Sequence, residues 1–142
     1  MTSLAFSKTK RSAFSLVELV VVVLIIGILA AVAAPRMFKT AEDARDAATK
    51  ASLSVIRDSI EIYRSQNGKP PPSAATLATA LKPQINGQFP NVQTVLVPTE
   101  NRNNTVVAND GDPIATPAGT AGWAYNESTG EFVVNHANCI SW

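Results

Sequence analysis

Apolar residues form one nearly continuous block near the start of the chain, from Phe14 to Ala34, in which only Ser15, Glu18 and Gly27 are not apolar. The block is 21 residues long. As a helix rising about 1.5 Å per residue it spans roughly 30 Å, the thickness of the hydrocarbon core of a bilayer. The pattern therefore predicts a transmembrane helix over residues 14–35.

Beyond the block, apolar positions recur with the period of an amphipathic helix. A first stripe comprises Met37, Ala41, Ala44, Ala48, Ala51 and Val55, and a second comprises Leu53, Ile56, Ile60 and Tyr63. Pro35 has no amide hydrogen, so a kink is expected there. Asn67-Gly68 and the three prolines that follow predict the end of the helix.

Charged residues on the other face of this helix stand at helical spacings. The pairs are Glu42 with Arg45, Asp46 with Lys50, and Arg57 with Glu61. Exposed pairs of this kind contribute little to stability, so we interpret them as a solvated face. In an assembled filament they would instead be available for contacts between subunits.

The remainder of the chain reads as short elements. Ser73 predicts the N-cap of a short helix through Leu81, with Leu77, Ala78 and Leu81 facing inward. Four strands are predicted, at Val92–Val97, Thr105–Ala108, Gly122–Tyr125 and Glu131–Val134, the last two joined as a hairpin through Asn126–Gly130. Trp123 and Tyr125 alternate on one of these strands and are interpreted as part of either the core or the surface of the sheet. The expected fold class is α+β, a long N-terminal helix whose second half packs on a small antiparallel sheet.

Charge is unevenly distributed along the chain. Lys8, Lys10 and Arg11 precede the apolar block without any acidic residue, which places this end in the cytoplasm and the chain beyond Pro35 outside. Without the first thirteen residues, nine basic residues face eleven acidic ones, a net charge of −2. This balance argues against direct nucleic-acid binding. The lone Cys139 has no partner for an internal disulfide and is interpreted as a small apolar residue.

Glu18 is the residue of the block that most needs an explanation. A carboxylate in the middle of a bilayer costs about 2.5–3.5 kcal/mol on insertion scales, so such residues usually have a partner. No basic side chain lies within the block. A free α-amine at Phe14 would lie about one helical turn from Glu18, or would reach Glu18 of a neighbouring helix shifted along its axis.

These residues carry a family resemblance. Lys8-Thr9-Lys10-Arg11-Ser12-Ala13 followed by Phe14-Ser15-Leu16-Val17-Glu18-Leu19 resembles the class III signal of type IV prepilins and pseudopilins. The resemblance implies that prepilin peptidase cleaves between Ala13 and Phe14 and methylates the amine of Phe14. The family usually has Gly where this chain has Ala13. Gly27 and Pro35 match positions at which family members carry helix-weakening residues.

The resemblance implies a pilin-like fold and three segments: a cleaved leader (1–13), a transmembrane and assembly helix (14–35) and a periplasmic globular domain (36–142). It implies a structural subunit, not an enzyme, most similar to the major pseudopilin of a type II secretion system. Its expected partners are copies of itself in a filament, minor pseudopilins, prepilin peptidase, the inner-membrane assembly platform and membrane lipid. The expected location is the bacterial inner membrane, or a filament extracted from it.

Three alternatives stay open at this point. Within the same class stands a pilus or DNA-uptake pilin, although many pilus pilins close their C-terminal loop with a cysteine pair that this chain lacks. A membrane-tethered periplasmic binding module belongs to a different class of protein, and its anchor would gain nothing from an acidic residue such as Glu18 in the bilayer. A secreted enzyme with an ordinary signal peptide predicts cleavage near Ala34.

Few other residues suggest chemistry, and no cofactor is expected. Asp110 and Asp112 could supply carboxylates to Ca²⁺, but two acids in a Gly/Pro turn equally describe an ordinary loop. His136 is interpreted as a surface histidine because no nucleophile motif surrounds it. Asn126-Glu127-Ser128 is a formal glycosylation sequon.

Overall fold

The structure, a computed structural model, describes residues 14–142. The predicted leader, residues 1–13, and with it the cleavage-site residue Ala13 lie outside the described residues. The chain divides into two compact units, one ending at Lys39 and the other spanning Thr40–Trp142, and each is described by itself.

One helix runs from the first unit into the second and confirms the predicted long N-terminal helix. Helix α1 spans Leu16–Asn67, 52 residues, and passes through Gly27 and Pro35 without interruption. The kink expected at Pro35 stays a prediction. The helix ends at Gly68, whose φ of 73° is the left-handed conformation that glycine adopts most readily after a helix.

The part of α1 in the first unit exposes its apolar side chains. From Phe14 to Val32 the large apolar side chains are between 45% and 79% exposed. A helix that is apolar on every side is not matched to water, because it has no polar face to present. Within the described residues, α1 is the one helix long and apolar enough to cross a membrane.

In the second unit, the second of the two predicted stripes faces the core. Leu53, Ile56 and Ile60 are buried, and Tyr63 packs against the same cluster. The first stripe is mostly exposed, including Met37 and Val55. The core-facing surface of α1 is therefore the stripe rich in branched residues, whose larger side chains bury more apolar area.

The short helix after the prolines forms as predicted, with a shifted inner face. A 3₁₀ turn at Ala74–Thr76 precedes helix α2, Leu77–Ala80, and the hydroxyl of Ser73 accepts the amide of Ala75 at 3.2 Å. Leu77 and Leu81 are buried, but Ala78 is exposed and Ala74 takes the inner position. The reason is the 3₁₀ turn, which repeats every three residues and aligns Ala74 with Leu77.

The sheet is mixed rather than antiparallel. Its three strands are β1 Val106–Ala108, β2 Trp123–Tyr125 and β3 Phe132–Val134, in the order β1-β2-β3. Strands β2 and β3 form the predicted antiparallel hairpin, with Ala124 opposite Val133. Strands β1 and β2 are parallel, which the sequence analysis did not predict. The long connection between them, residues 109–122, is what allows β2 to run in the same direction as β1.

The prediction of a strand at Val92–Val97 is wrong, because this segment bonds to side chains instead of to another strand. The Thr49 hydroxyl accepts the amides of Gln93 and Thr94, each at 3.0 Å. The Arg102 guanidinium donates to the carbonyls of Val95 and Val97, at 3.1 and 2.8 Å. A second 3₁₀ turn, Thr99–Asn101, follows. Side chains thus supply the hydrogen bonds that a neighbouring strand would have supplied.

Both faces of the sheet are covered. One cluster joins the buried stripe of α1 to Trp123, Tyr125, Phe132, Val134 and Cys139. A smaller cluster comprises Ile114, Ala124 and Val133, with Val107 and Ile140 packed against it. Trp123 and Tyr125 are core residues of the sheet, one of the two placements that the sequence analysis left open for them.

Candidate functional site

The residues around the predicted cleavage site lie at the beginning of α1. Phe14 and Ser15 precede the helix, the Ser15 carbonyl accepts the amide of Leu19 at 3.2 Å, and Glu18 lies in the first helical turn. Glu18 is exposed, as are the apolar residues around it. The partial positive charge of a helix N-terminus favours a carboxylate at this position. The helix itself therefore offsets part of the cost of placing Glu18 in an apolar segment.

Ser15 occupies a position that the sequence analysis treated only as an interruption of the apolar block. With α1 beginning at Leu16, Ser15 is at the N-cap and Glu18 is three residues on, the spacing of a capping box. Neither side chain makes a hydrogen bond among residues 14–142, so the structure shows the spacing alone. The Ser-x-x-Glu pattern was the signal that would have drawn attention to Ser15.

Gly27 and Pro35 lie inside α1, well away from Glu18. A side chain added at Gly27 would meet no atom within 4 Å, so nothing within this chain requires a glycine there. Pro35 lies in the helix four residues before the end of the first unit. Their role as helix-weakening positions stays a prediction from the family resemblance.

Three charged residues of the second half of α1 are not the solvated pairs that their spacing predicts. The Asp46 carboxylate accepts the hydroxyl of Thr94. The Lys50 ammonium lies 4.4 Å from the ring centre of Trp142, and the Arg57 guanidinium donates to two backbone carbonyls, those of Phe132 and Trp142. Burial lowers the pKa of Arg57, while the nearby Glu131 carboxylate acts in the opposite direction. These side chains hold the globular unit together.

Cys139 is a core residue, as the sequence analysis predicted. Its side chain is buried in the cluster beneath α1, and the thiol is free. Burial raises the pKa of this thiol, and the nearby Asp46 carboxylate raises it further. A buried thiol with a raised pKa has little thiolate character and is poorly reactive while the fold is intact.

The two calcium candidates lie in the connection between β1 and β2. Asp110 and Asp112 are both exposed. Across residues 14–142 no group of three or more His, Cys, Asp or Glu side chains is close enough to hold a metal ion. Glu131 of the hairpin accepts the amide of Ile114, two residues after Asp112, at 2.8 Å.

The two remaining candidates have structural surroundings. Asn126 of the sequon is buried: its amide nitrogen donates to the Gly111 carbonyl at 2.7 Å, and its oxygen accepts the amides of Ser128 and Thr129. A glycan therefore has no room on Asn126 in the folded protein. His136 is half-buried, and its Nδ1 accepts the amide of Asn138 at 3.3 Å in an exposed hydrogen bond.

Comparison with known proteins gives one result. No curated protein and no solved structure matches the chain significantly. Residues 8–34 match the model of the prokaryotic N-terminal methylation motif, which spans the basic leader, Phe14, Glu18 and most of the apolar block. The motif and the apolar helix together fit a membrane-anchored, single-pass protein that is processed by prepilin peptidase and assembled into a filament. Residues 8–34 are thus the type IV pilin and pseudopilin signal.

Proposed function

We propose that this protein is the structural subunit of a pilus-like filament, most similar to the major pseudopilin of a type II secretion system. The observation that carries the proposal is the methylation motif at residues 8–34, together with the exposure of the large apolar side chains from Phe14 to Val32. Such a surface needs lipid or other apolar helices around it. In a filament, copies of α1 provide that environment after lipid has done so in the inner membrane.

The orientation follows from the charges at the two ends of the block. Lys8, Lys10 and Arg11 remain in the cytoplasm, and the chain beyond Pro35 lies in the periplasm. Prepilin peptidase then cleaves between Ala13 and Phe14 and methylates the new amine of Phe14. Methylation keeps this amine charged. The amine is therefore available as a cation within a segment that otherwise has none.

Glu18 supplies the counter-charge during assembly. The Phe14 amine of an incoming subunit, staggered along the filament axis, pairs with the Glu18 carboxylate of its neighbour. An unpaired carboxylate in the bilayer costs about 2.5–3.5 kcal/mol, and the pairing removes this cost for the amine and the acid together. The inner-membrane assembly platform and minor pseudopilins complete the machinery. No cofactor is needed, and the role is structural rather than enzymatic.

The C-terminal segment favours a secretion pseudopilin over a pilus or DNA-uptake pilin. Many pilus pilins close this region with a disulfide, but here the single cysteine is buried and the segment is held by noncovalent contacts from Arg57 and Lys50. In addition, the Gln-Asn-Gly-Lys-Pro-Pro-Pro stretch at residues 66–72, which follows the long helix, resembles the equivalent stretch of the major pseudopilin.

Glu18→Val tests the proposal by separating processing from assembly. The substitution makes the segment more apolar, so membrane insertion and cleavage should persist. Assembly should fall by at least about tenfold, because the incoming amine has lost its buried partner. Intact mass of the membrane form measures cleavage before Phe14 and methylation. The amount of filament sheared from the cells measures assembly. The amount of substrate secreted by a strain with a type II secretion system shows whether the filament serves secretion.

Asp43→Val is the matched control, since it removes an exposed carboxylate of the same helix that lies outside the apolar block and outside the charged pairs of α1. It should be cleaved and assembled like the parent. If Glu18→Val assembles like the parent, the charge-pairing mechanism is wrong and a membrane-tethered binding module becomes the better explanation. Filaments without secretion would favour the pilus alternative, and a mature chain beginning near Pro35 would indicate a secreted protein.

A further inference from the structure

The outer edge of strand β3 is closed by the last seven residues of the chain. In the order β1-β2-β3, one edge of β3 has no neighbouring strand among residues 14–142. The hydrogen bonds of Glu131 and Asn135 run toward the β2 side, so the groups of Phe132 and Val134, which alternate with them, point outward. Both outward carbonyls are occupied: that of Phe132 accepts Nε of Arg57 at 2.9 Å, and that of Val134 accepts the amide of His136 at 2.8 Å.

Residues 136–142, which we call the strap, pass around this edge. Cys139 packs into the cluster on the α1 side of the sheet, whereas the neighbouring Ile140 packs against the cluster that contains Val133 on the other side. A segment whose consecutive residues contribute to both faces must cross the edge of the sheet between them. The strap therefore covers backbone groups that an extended segment of another chain would otherwise pair with.

The strap has few backbone ties to the rest of the domain. The amides of Cys139 and Ile140 both donate to the His136 carbonyl, and the amide of Trp142 donates to the Cys139 carbonyl, so these bonds lie within the strap itself. Opening the strap breaks no backbone hydrogen bond of the sheet ladder or of helix α1. Segments of this kind open at a lower free energy than the whole domain.

Arg57 is the residue that joins the strap to both α1 and β3. Its Nη2 donates to the carbonyl of Trp142 at 2.8 Å while its Nε is bonded to Phe132. Lys50, two helical turns earlier, lies over the Trp142 ring. A cavity of about 460 Å³ lies beside these contacts, lined in part by Lys50, Arg57 and Trp142. The planar guanidinium can bridge two carbonyls at once, which a lysine cannot do in the same way.

We infer that residues 136–142 form a strap that closes the outer edge of β3 and opens independently of the rest of the domain, with Arg57 as the residue that holds it shut. When open, the strap no longer covers the outward carbonyl of Val134, which accepts the amide of His136 in the closed form. This inference does not depend on the proposed function, because all of its contacts lie within Thr40–Trp142.

Cys139 provides a direct probe, since it is the single cysteine of the chain, belongs to the strap and is fully buried in the core while the strap is closed. In the full chain in detergent micelles, the rate of alkylation by a maleimide measures opening at Cys139. Hydrogen exchange of the β2 amides, residues 123–125, measures opening of the sheet in the same sample. In the parent, Cys139 should be clearly less protected than the β2 amides. Equal protection would mean that the strap opens only when the domain unfolds, which overturns the inference.

Arg57→Met tests the holding residue. It removes hydrogen bonds from a charged donor to two carbonyls, so Cys139 should be alkylated about tenfold faster or more. Unfolding of the whole domain breaks the same bonds, so β2 exchange should rise by no more than the same factor, and the β2 amides should stay better protected than Cys139. Arg64→Met is the matched control, an exposed arginine of α1 paired with Glu61, and should leave alkylation unchanged. Unchanged alkylation in Arg57→Met, or protection of Cys139 equal to that of the β2 amides, would overturn the role of Arg57. If Arg57→Met does not fold, Arg57→Lys tests the role of Arg57 instead. The independent opening of the strap is then tested by comparing Cys139 alkylation with β2 exchange in the parent.

Discussion

Helix α1 carries two kinds of apolar surface, which differ in what covers them. From Leu16 to Val32 the helix is apolar and exposed on all sides, whereas from Leu53 to Ile60 it has one apolar stripe that is fully buried. The second surface is covered by the sheet of the same chain. The first is covered by none of residues 14–142, so lipid or other apolar helices must surround it. Substitutions in the two regions should therefore affect different measurements.

The largest effect on domain stability should come from the buried stripe. Ile60 is only 1% exposed, and Ile60→Ala should lower the free energy of unfolding of the globular unit by about 2–5 kcal/mol, because it leaves a cavity in the core. Denaturant unfolding of the full chain in micelles, followed by the fluorescence of the buried Trp123, measures this. Ile28→Ala removes the same atoms from the exposed apolar half and should leave the unfolding midpoint unchanged. Equal losses in both variants would erase the distinction between the two surfaces.

A smaller loss should follow from removing one hydroxyl of the buried face. Thr49 is fully buried and accepts two amides from the segment 92–97. Thr49→Val keeps the shape but strands the buried Thr94 amide, at a cost of about 1–3 kcal/mol. The same unfolding experiment applies. Ser52→Ala is the control, because the Ser52 hydroxyl bonds only to the Ala48 carbonyl within the helix, and it should cost less than about 0.5 kcal/mol.

The smallest effect concerns Tyr125, whose hydroxyl donates to the Pro71 carbonyl at 2.7 Å. Burial, with help from Glu127, raises the pKa of Tyr125 to about 12. An unfolded chain ionises tyrosine near pH 10, so the native state holds this proton more tightly. The stability from this site should be complete below about pH 10 and should be lost as the pH rises toward 12.

Tyr125→Phe should cost about 1 kcal/mol at neutral pH and flatten that alkaline decline. Unfolding midpoints at several pH values between neutrality and pH 11 measure both effects. Tyr63→Phe, at a half-buried tyrosine packed against the same core, should keep the decline. A decline of the same slope in Tyr125→Phe would assign it to other groups.

Much of this contrast could be predicted from the sequence, because periodicity reports where a helix is apolar. The uninterrupted block, the stripe of Leu53, Ile56 and Ile60, and the hairpin at Asn126–Gly130 all appear in the structure. What periodicity does not report is which partner a segment selects. Val92–Val97 has the composition of a strand, but its backbone bonds instead to the side chain of Thr49, which is distant in sequence, and to that of the nearby Arg102.

The same limit applies to the charged residues. Spacing along α1 pairs Arg57 with Glu61, but the Phe132 and Trp142 carbonyls that Arg57 actually contacts lie at least 75 positions away. The parallel pairing of β1 with β2 also depends on the path of a long connection, which has no local signature. At the other end of the chain, the methylation motif could be identified from the sequence because all of its features are local: the basic leader, Phe14, Glu18 and the apolar block.

The segment Val92-Gln93-Thr94-Val95-Leu96-Val97 also affects the tendency of the chain to aggregate before it folds. Six uncharged residues, mostly β-branched and free of proline, have the composition of segments that stack into amyloid-like cross-β aggregates. Pro90 and Pro98 flank the segment and limit such stacking, as gatekeeper residues do. In the native state Thr49 and Arg102 occupy its backbone groups. The bonds that kept it from becoming a strand of its own domain therefore also keep it from becoming a strand of an aggregate.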